Sequence, residues 1–317
     1  MSKVHLYFIF TALFFVLNSF GQNDKVIYKK INDSVSLDFK LIQPTNLPTG
    51  KTPCAIFLSG GGWMDFDWTQ LEQLAYALSD RGILSVIVEY RTKKKHNSSP
   101  FDALVDVKDA IARLRENSET LNIDKEKIIA IGISAGGHLA FSSYFVDTVD
   151  GVTYGEESKP NYIVGLSPVI RNDSIGFGYD VIGENYKWFS PYHNYLNTEA
   201  HLPPSVIISG EEDELIKFEH LEEFYKKSIE KKDDLLLYNA LCVGHSMKTT
   251  YRSIYSQSFP IIISFLADNE VISNSEIINP IKYETNVLRN SLIALGVLLL
   301  FVVVGHLFRK KLKKGHV

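Results

Sequence analysis

Gly132-Ile133-Ser134-Ala135-Gly136-Gly137-His138-Leu139-Ala140 decides how this chain is read. A β-rich run over 128–133 leads into it, and a run with helical spacing over 135–146 leaves it. A serine framed as G-x-S-x-G at a strand-to-helix junction makes a sharp turn with strained backbone dihedrals. Gly132 and Gly136 leave room where side chains would collide across that turn. The Ser134 hydroxyl is thereby lifted out of the sheet, with a helix N-terminus beneath any negative charge that develops there.

Upstream, the apolar run 54–58 has the look of a strand buried on both faces. It ends in Ser59-Gly60-Gly61-Gly62-Trp63. Successive glycines let backbone amides point into a cavity with no Cβ in the way, so this loop is suited to stabilise an oxyanion together with the amide of Ala135. A serine hydroxyl needs a base, and the base needs an orienting acid. Of nine histidines, His245 in Val243-Gly244-His245-Ser246 lies on a loop between the last strand and the last helix. His138 follows the serine turn on the helix and points away from it, a packing position. His193 and His201 fall in an aromatic stretch and are weaker candidates. The acid is sought in Ser209-Gly210-Glu211-Glu212-Asp213-Glu214, directly after a strand, where catalytic groups collect on a parallel sheet.

Between these motifs the pattern alternates. Strand period runs over 35–42, with further strands expected over 54–58, 83–90, 128–133, 206–209 and 235–241. Helical spacing covers 68–80, 101–116, 135–146, 218–231 and 249–266. Strands alternating with helices predict right-handed βαβ units, a mostly parallel sheet and helices on both faces. Lys93-Lys94-Lys95 reads as a solvated loop. The stretch 167–201 sits where such a sheet accepts a small cap insertion and is rich in aromatics, which either line a pocket or pack the insert on the core.

The 317 residues are 45% hydrophobic and 22% charged with a net charge of −4, so the chain is globular rather than disordered, and its mild acidity gives no reason to expect nucleic acid as a partner. Two cysteines, Cys54 and Cys242, exclude a disulfide framework or a Cys-rich zinc site; buried free thiols are expected, with a bridge left open for an exported protein. Residues 1–21 have a basic start, an apolar run over 6–17 and small Ser19 and Gly21, which predicts a signal peptide cleaved after Gly21. Residues 291–308 are apolar except for Ser291 and His306 and are followed by a basic tail over 309–317. A run of that length crosses a bilayer core of roughly 30 Å, and the basic cluster holds its end in the cytoplasm. The expected organisation is signal peptide 1–21, one α/β domain over 22–270, a linker over 271–290, a transmembrane helix over 291–308 and the tail. The domain is then exported and tethered on the non-cytoplasmic side.

These residues resemble a known family, the α/β-hydrolases of the acetyl esterase/lipase type, close to hormone-sensitive-lipase-like enzymes and to bacterial feruloyl and acetyl xylan esterases. The likeness rests on Gly60-Gly61-Gly62-Trp63, Glu89-Tyr90-Arg91, Asp106-Val107-Lys108-Asp109-Ala110-Ile111, Asn122-Ile123-Asp124, the Ser134 turn, Gly210-Glu-Glu-Asp213-Glu-Leu-Ile216 and Gly244-His245. It implies the triad Ser134, Asp213 and His245, in the chain order of that fold, with oxyanion donors at Gly61, Gly62 and Ala135. It singles out Asp213, and leaves Glu211, Glu212 and Glu214 as solvated charges. The family usually has histidine before the three glycines; Ser59 stands there, which puts the rigidity of the loop in question. The implied activity is hydrolysis of short-chain carboxylic esters, acylated carbohydrates among them, with a small-molecule ester as partner and no metal or organic cofactor. A small-amide hydrolase or a serine peptidase of the same fold is the alternative, as is a non-catalytic, membrane-anchored binding domain.

Overall fold

The computed structural model describes residues 25–46, 50–240, 244–245 and 254–273. The expected signal peptide, the transmembrane run, the basic tail and Cys242 lie outside them. Among the described residues, no helix is long and apolar enough to cross a membrane. Two compact units divide the chain, and the first ends at Ile272. Val271 and Ile272 are buried in it, two residues past the boundary expected from sequence.

Eight strands form one sheet: β1 (Lys25–Lys30), β2 (Ser36–Ile42), β3 (Thr52–Leu58), β4 (Leu84–Val88), β5 (Ile123–Ile133), β8 (Tyr162–Leu166), β9 (Ser205–Gly210) and β10 (Leu235–Ala240). Their order is β1-β2-β4-β3-β5-β8-β9-β10. Strand β2 is antiparallel to both of its neighbours, and every later pairing is parallel. A small hairpin, β6 (Thr148–Val149) with β7 (Val152–Thr153), stands apart from the sheet. The helices are α1 (Glu72–Ser79), α2 (Lys93–His96), α3 (Pro100–Glu116), α4 (Ala135–Phe145), α5 (Tyr179–Ile182), α6 (Tyr186–Phe189), α7 (Pro191–Asn197), α8 (Phe218–Lys231) and α9 (Ile254–Asp268).

The strand period of two sorts the core into two layers. Cys54, Ile56 and Leu58 of β3 join Ile128 and Ala130 of β5 in the cluster that also holds Leu104, Val107 and Leu139 from α3 and α4. The alternate residues, Ala55 and Phe57 beside Ile129 and Ile131, are equally buried but outside that cluster, on the side where α1 packs with α9. Both faces of the central strands are therefore covered, which explains their continuous apolar runs. Helix α3 begins where Ser99 and Asp102 cap each other reciprocally, with Pro100 at its first position.

Strands β1 and β8 were not anticipated by pattern. Lys93–His96 is one turn of helix rather than a loop, held by ion pairs from Lys94 to Asp65 and from Lys95 to Glu89. Helix α1 starts at Glu72, four residues later than expected, because Asp67 accepts the Thr69 amide at 2.8 Å and turns the chain first.

The tightest passage lies where β3, β5 and α4 meet. A Cβ at Gly136 would come within 2.1 Å of the Leu58 carbonyl oxygen, and one at Gly132 within 2.2 Å of the Gly136 carbonyl oxygen. Gly136→Ala is expected to cost about 3 kcal/mol, as overpacking against rigid backbone does. Gly50→Ala, with open space around the site, is expected to leave the urea midpoint unchanged; equal midpoints for the two variants would contradict this.

Candidate active site

Every group of the site stands at the C-terminal edge of the parallel strands. Ser134 follows β5, Ser59 to Gly62 follow β3, and Asp213 lies three residues past the end of β9. Ser134 adopts φ 54° and ψ −119°, a conformation that residues with a Cβ rarely occupy. Its amide donates to the Leu166 carbonyl at 2.9 Å, and its own carbonyl accepts the amides of His138 at 3.0 Å and Val169 at 3.2 Å. Those three bonds hold the turn in place against its strain.

The Ser134 Oγ lies 2.8 Å from Nε2 of His245. Nδ1 of the same ring lies 3.0 Å from each carboxylate oxygen of Asp213. A carboxylate accepts only, so Nδ1 carries the proton and Nε2 is left to accept one from the serine. Asp213 is fixed in turn: its Oδ1 accepts the amides of Leu215 at 3.0 Å and Ile216 at 2.8 Å, and the Ser167 hydroxyl bonds to it as well. The backbone amide of His245 donates to the exposed carboxylate of Glu214 at 3.4 Å.

Gly61 and Gly62 line the same cleft as Ser134 and His245. They take φ values of 120° and 61°, followed by Trp63 at 60°. Among the described residues their amides have no hydrogen-bond partner. A Cβ on Gly61 would meet the Asp65 carbonyl oxygen at 2.6 Å, so glycine is required there. Ala135, fully buried, is the first residue of α4 beside Ser134. The loop is not slack for want of histidine at position 59. Tyr90 donates its hydroxyl to the Ser59 carbonyl at 2.7 Å, and Gln70 accepts the Gly60 amide at 2.6 Å.

His138 is fully buried between Trp63 and Phe189, with ring centroids 5.1 Å and 4.4 Å away. Burial pushes its pKa down to about 3, so it is a neutral packing group. His193 bonds Ser190 at 3.1 Å and His201 bonds Asp233; neither lines the cleft. The cleft has a volume of about 790 Å³. Of the aromatics in the insert only Phe177 reaches it; Phe189 and Tyr195 are buried in the core, and Trp188 packs on Phe101. A larger charged groove of about 1140 Å³, bordered by Lys29 and Arg115, contains none of these groups. Cys54 is a buried free thiol, raised to about 12 by burial.

Sequence reasoning missed Ser167, Gln70, and the cleft-lining Arg171, Lys217 and His220. Ser167 had a signal: it directly follows β8, and recognising that short strand would have placed it at the same rim. The others follow from tertiary contacts alone.

The sheet order, the Ser134 turn and the serine–histidine–aspartate contacts are those of the α/β-hydrolase fold. Within that fold the chain resembles the acetyl esterase/lipase type: the BD-FAE family model matches residues 40–161. The acetylxylan esterase of Xylanibacter ruminicola is 28% identical over 199 residues, 59% of this chain and 39% of that protein. The endo-1,4-beta-xylanase B of Butyrivibrio fibrisolvens is 27% identical over 196 residues, 57% of this chain and 30% of that protein. The matched region is thus under half the length of either relative. Among solved structures, the apo form of esterase 2 from Thermogutta terrifontis superposes with a TM-score of 0.72 at 25% identity, covering 80% of this chain and 96% of that one.

Burial raises the Asp213 carboxyl, but the bonds from His245, the Ile216 amide and Ser167 outweigh it and hold it below the ordinary carboxylate value. A carboxyl depressed on folding adds stability above its unfolded pKa, about 3.9, and that stability is lost as pH falls through the folded value. The urea-midpoint gap between wild type and Asp213→Asn is therefore expected to be widest at pH 5 and above and to narrow steadily at lower pH. A gap that does not change with pH would show that the carboxylate's charge contributes nothing.

Proposed function

We propose that the chain is a serine carboxylic ester hydrolase working through Ser134, His245 and Asp213. The observation that carries this reading is the continuous path of contacts, 2.8 Å from Ser134 Oγ to His245 Nε2 and 3.0 Å from His245 Nδ1 to Asp213. As Oγ attacks the ester carbonyl carbon, its proton passes to Nε2. The carbonyl oxygen becomes an oxyanion, held by the amides of Gly61, Gly62 and Ala135; each donor of this kind is worth about 10²–10³ in turnover. Collapse of the intermediate breaks the bond to the alcohol oxygen, which takes the proton from His245. Water then attacks the acyl-enzyme, His245 accepting its proton and returning it to Ser134. Asp213 keeps the imidazole in the required tautomer and offsets its charge when it is protonated.

The substrates are short-chain esters, acylated carbohydrates among them, in keeping with the names of the acetylxylan esterase and xylanase relatives. The reading includes export through residues 1–21 and tethering by 291–308, both resting on hydropathy and the flanking charges.

Wild type is expected to hydrolyse p-nitrophenyl acetate, and Ser134→Ala to lose at least about 10⁴-fold in kcat/KM. Esterase 2 of Thermogutta terrifontis is recorded phosphoramylated by tabun, so a fluorophosphonate probe is a fitting second readout. Labelling that persists in Ser134→Ala would remove this serine from the mechanism. For the anchor, the full chain is expected to stay with membranes through alkaline carbonate extraction; release into the soluble fraction would refute the tether.

A further inference from the structure

The cleft around Ser134 has an unusual lip. Among the described residues, nine large hydrophobic side chains are exposed, and four of them, Met64, Ile175, Val181 and Leu215, line this one cleft. They are 38%, 56%, 49% and 49% exposed. They come from three separate segments: the glycine loop, the insert and the turn after Asp213. An apolar rim assembled from three segments is not a by-product of one amphipathic element. Clustered exposed hydrophobics mark a place where something apolar binds, whereas scattered ones need no explanation.

What binds there is constrained by the rest of the lining. Inside the lip the wall continues with Trp63, Val169, Ile170, Phe177 and Ile216. Several polar groups at the cleft are already engaged. Gln70 accepts the Gly60 amide, and Arg171 is held by Asp173 and Glu223. Lys217 and Asp180 stand exposed at its outer edge. The volume of about 790 Å³ far exceeds an acetyl group, which fills a few tens of Å³, on the order of one or two water-sized spaces.

We infer that esters carrying a hydrocarbon group long enough to reach this lip are turned over faster than the short-chain esters named above, and that Met64, Ile175, Val181 and Leu215 set this preference. The inference deepens the ester-hydrolase reading and rests on it. The occupant is the substrate itself, because the rim is continuous with the cleft that contains Ser134 and His245. The hydrocarbon sits on either the acyl or the alcohol side, and two substrate series tell these apart. Each fully buried methylene contributes about fourfold in binding; a rim that buries them partly gives less per carbon.

The test measures kcat/KM of the full chain, below micellar concentrations, for p-nitrophenyl esters from acetate to octanoate, and for acetates of ethanol to octanol by pH-stat. One of the series is expected to rise at least about tenfold from its shortest to its longest member. Ile175→Ser and Val181→Ser are each expected to cut that rise several-fold. Ile229→Ser, which removes an exposed hydrophobic from α8 outside the cleft, is expected to preserve it. Hydrolysis of acetates with no gain along either series overturns the inference and leaves the ester-hydrolase reading standing. A gain that survives both insert substitutions also overturns it, since the rim then does not set the preference. If no ester is hydrolysed and no fluorophosphonate reacts, the ester-hydrolase reading falls, and the inference falls with it.

Discussion

The first turn of α4 is pressed against the end of β3 more closely than any side chain would allow. Gly136 faces the carbonyls of Leu58 and Ser59, where a Cβ would lie at 2.1 and 2.4 Å, and Gly137 faces Pro168, where it would lie at 2.7 Å. This approach brings three strand ends together around one point. Leu58 pairs with Gly132 and Gly132 with Gly165, so the chain segments leaving β3, β5 and β8 emerge side by side. Ser134 stands between a loop of free amides on one side and Ser167 on the other. Strained dihedrals at Ser134 are the cost of that closeness, and burial of the whole first half of α4 offsets it.

Charge at the site is arranged with the same economy. The buried carboxylate of Asp213 is compensated by two backbone amides, an imidazole and a hydroxyl rather than by a buried cation. His138, only four residues from Ser134, is kept neutral by burial and contributes an edge to Trp63 instead of a second base. Trp63 itself holds a left-handed backbone conformation that a bulky residue seldom adopts. Packing against His138, Phe177 and Phe189 holds it there, and its carbonyl accepts the Lys93 amide at 3.0 Å. The lysine-rich turn thus braces the glycine loop from behind.

Much of this was legible in the sequence because it depends on local constraints. The serine turn needs a glycine two residues to either side of Ser134, and doubly buried strands show as unbroken apolar runs. The helix over 218–231 and, to within one residue, that over 135–146 followed from period, while 128–133 captured only the second half of β5. Strand β1 escaped because five of its six positions are exposed or partly exposed, three of them lysines, as suits an edge strand. Strand β8 escaped because it is five residues long and contains Gly165. Losing β8 hid Ser167, whose place beside Asp213 is set by the strand and by nothing in its own neighbourhood. The support of Ser59 by Tyr90 and of Gly60 by Gln70 spans 31 and 10 residues and has no spacing signature. The aromatics of the insert mislead for a different reason: composition tells how much apolar surface a segment must bury, but not which side of it faces the cleft.

The cleft wall has two parts with unequal freedom to change. Leu215 and Ile216 present side chains to the cleft while their amides bind the carboxylate of Asp213. Reshaping that wall moves the acid and, through it, His245. The insert wall is anchored elsewhere. Arg171 grips Asp173 within the insert and Glu223 on α8, and stacks on Tyr192, so this part of the insert is fixed to the body away from the proton path. Ile175 and Val181 hang from this second support. Substrate preference in such a molecule is freer to drift at Ile175 and Val181 than at the 213–216 turn, or at Val169 and Phe177, which touch Ser134 and the Trp63 of the glycine loop.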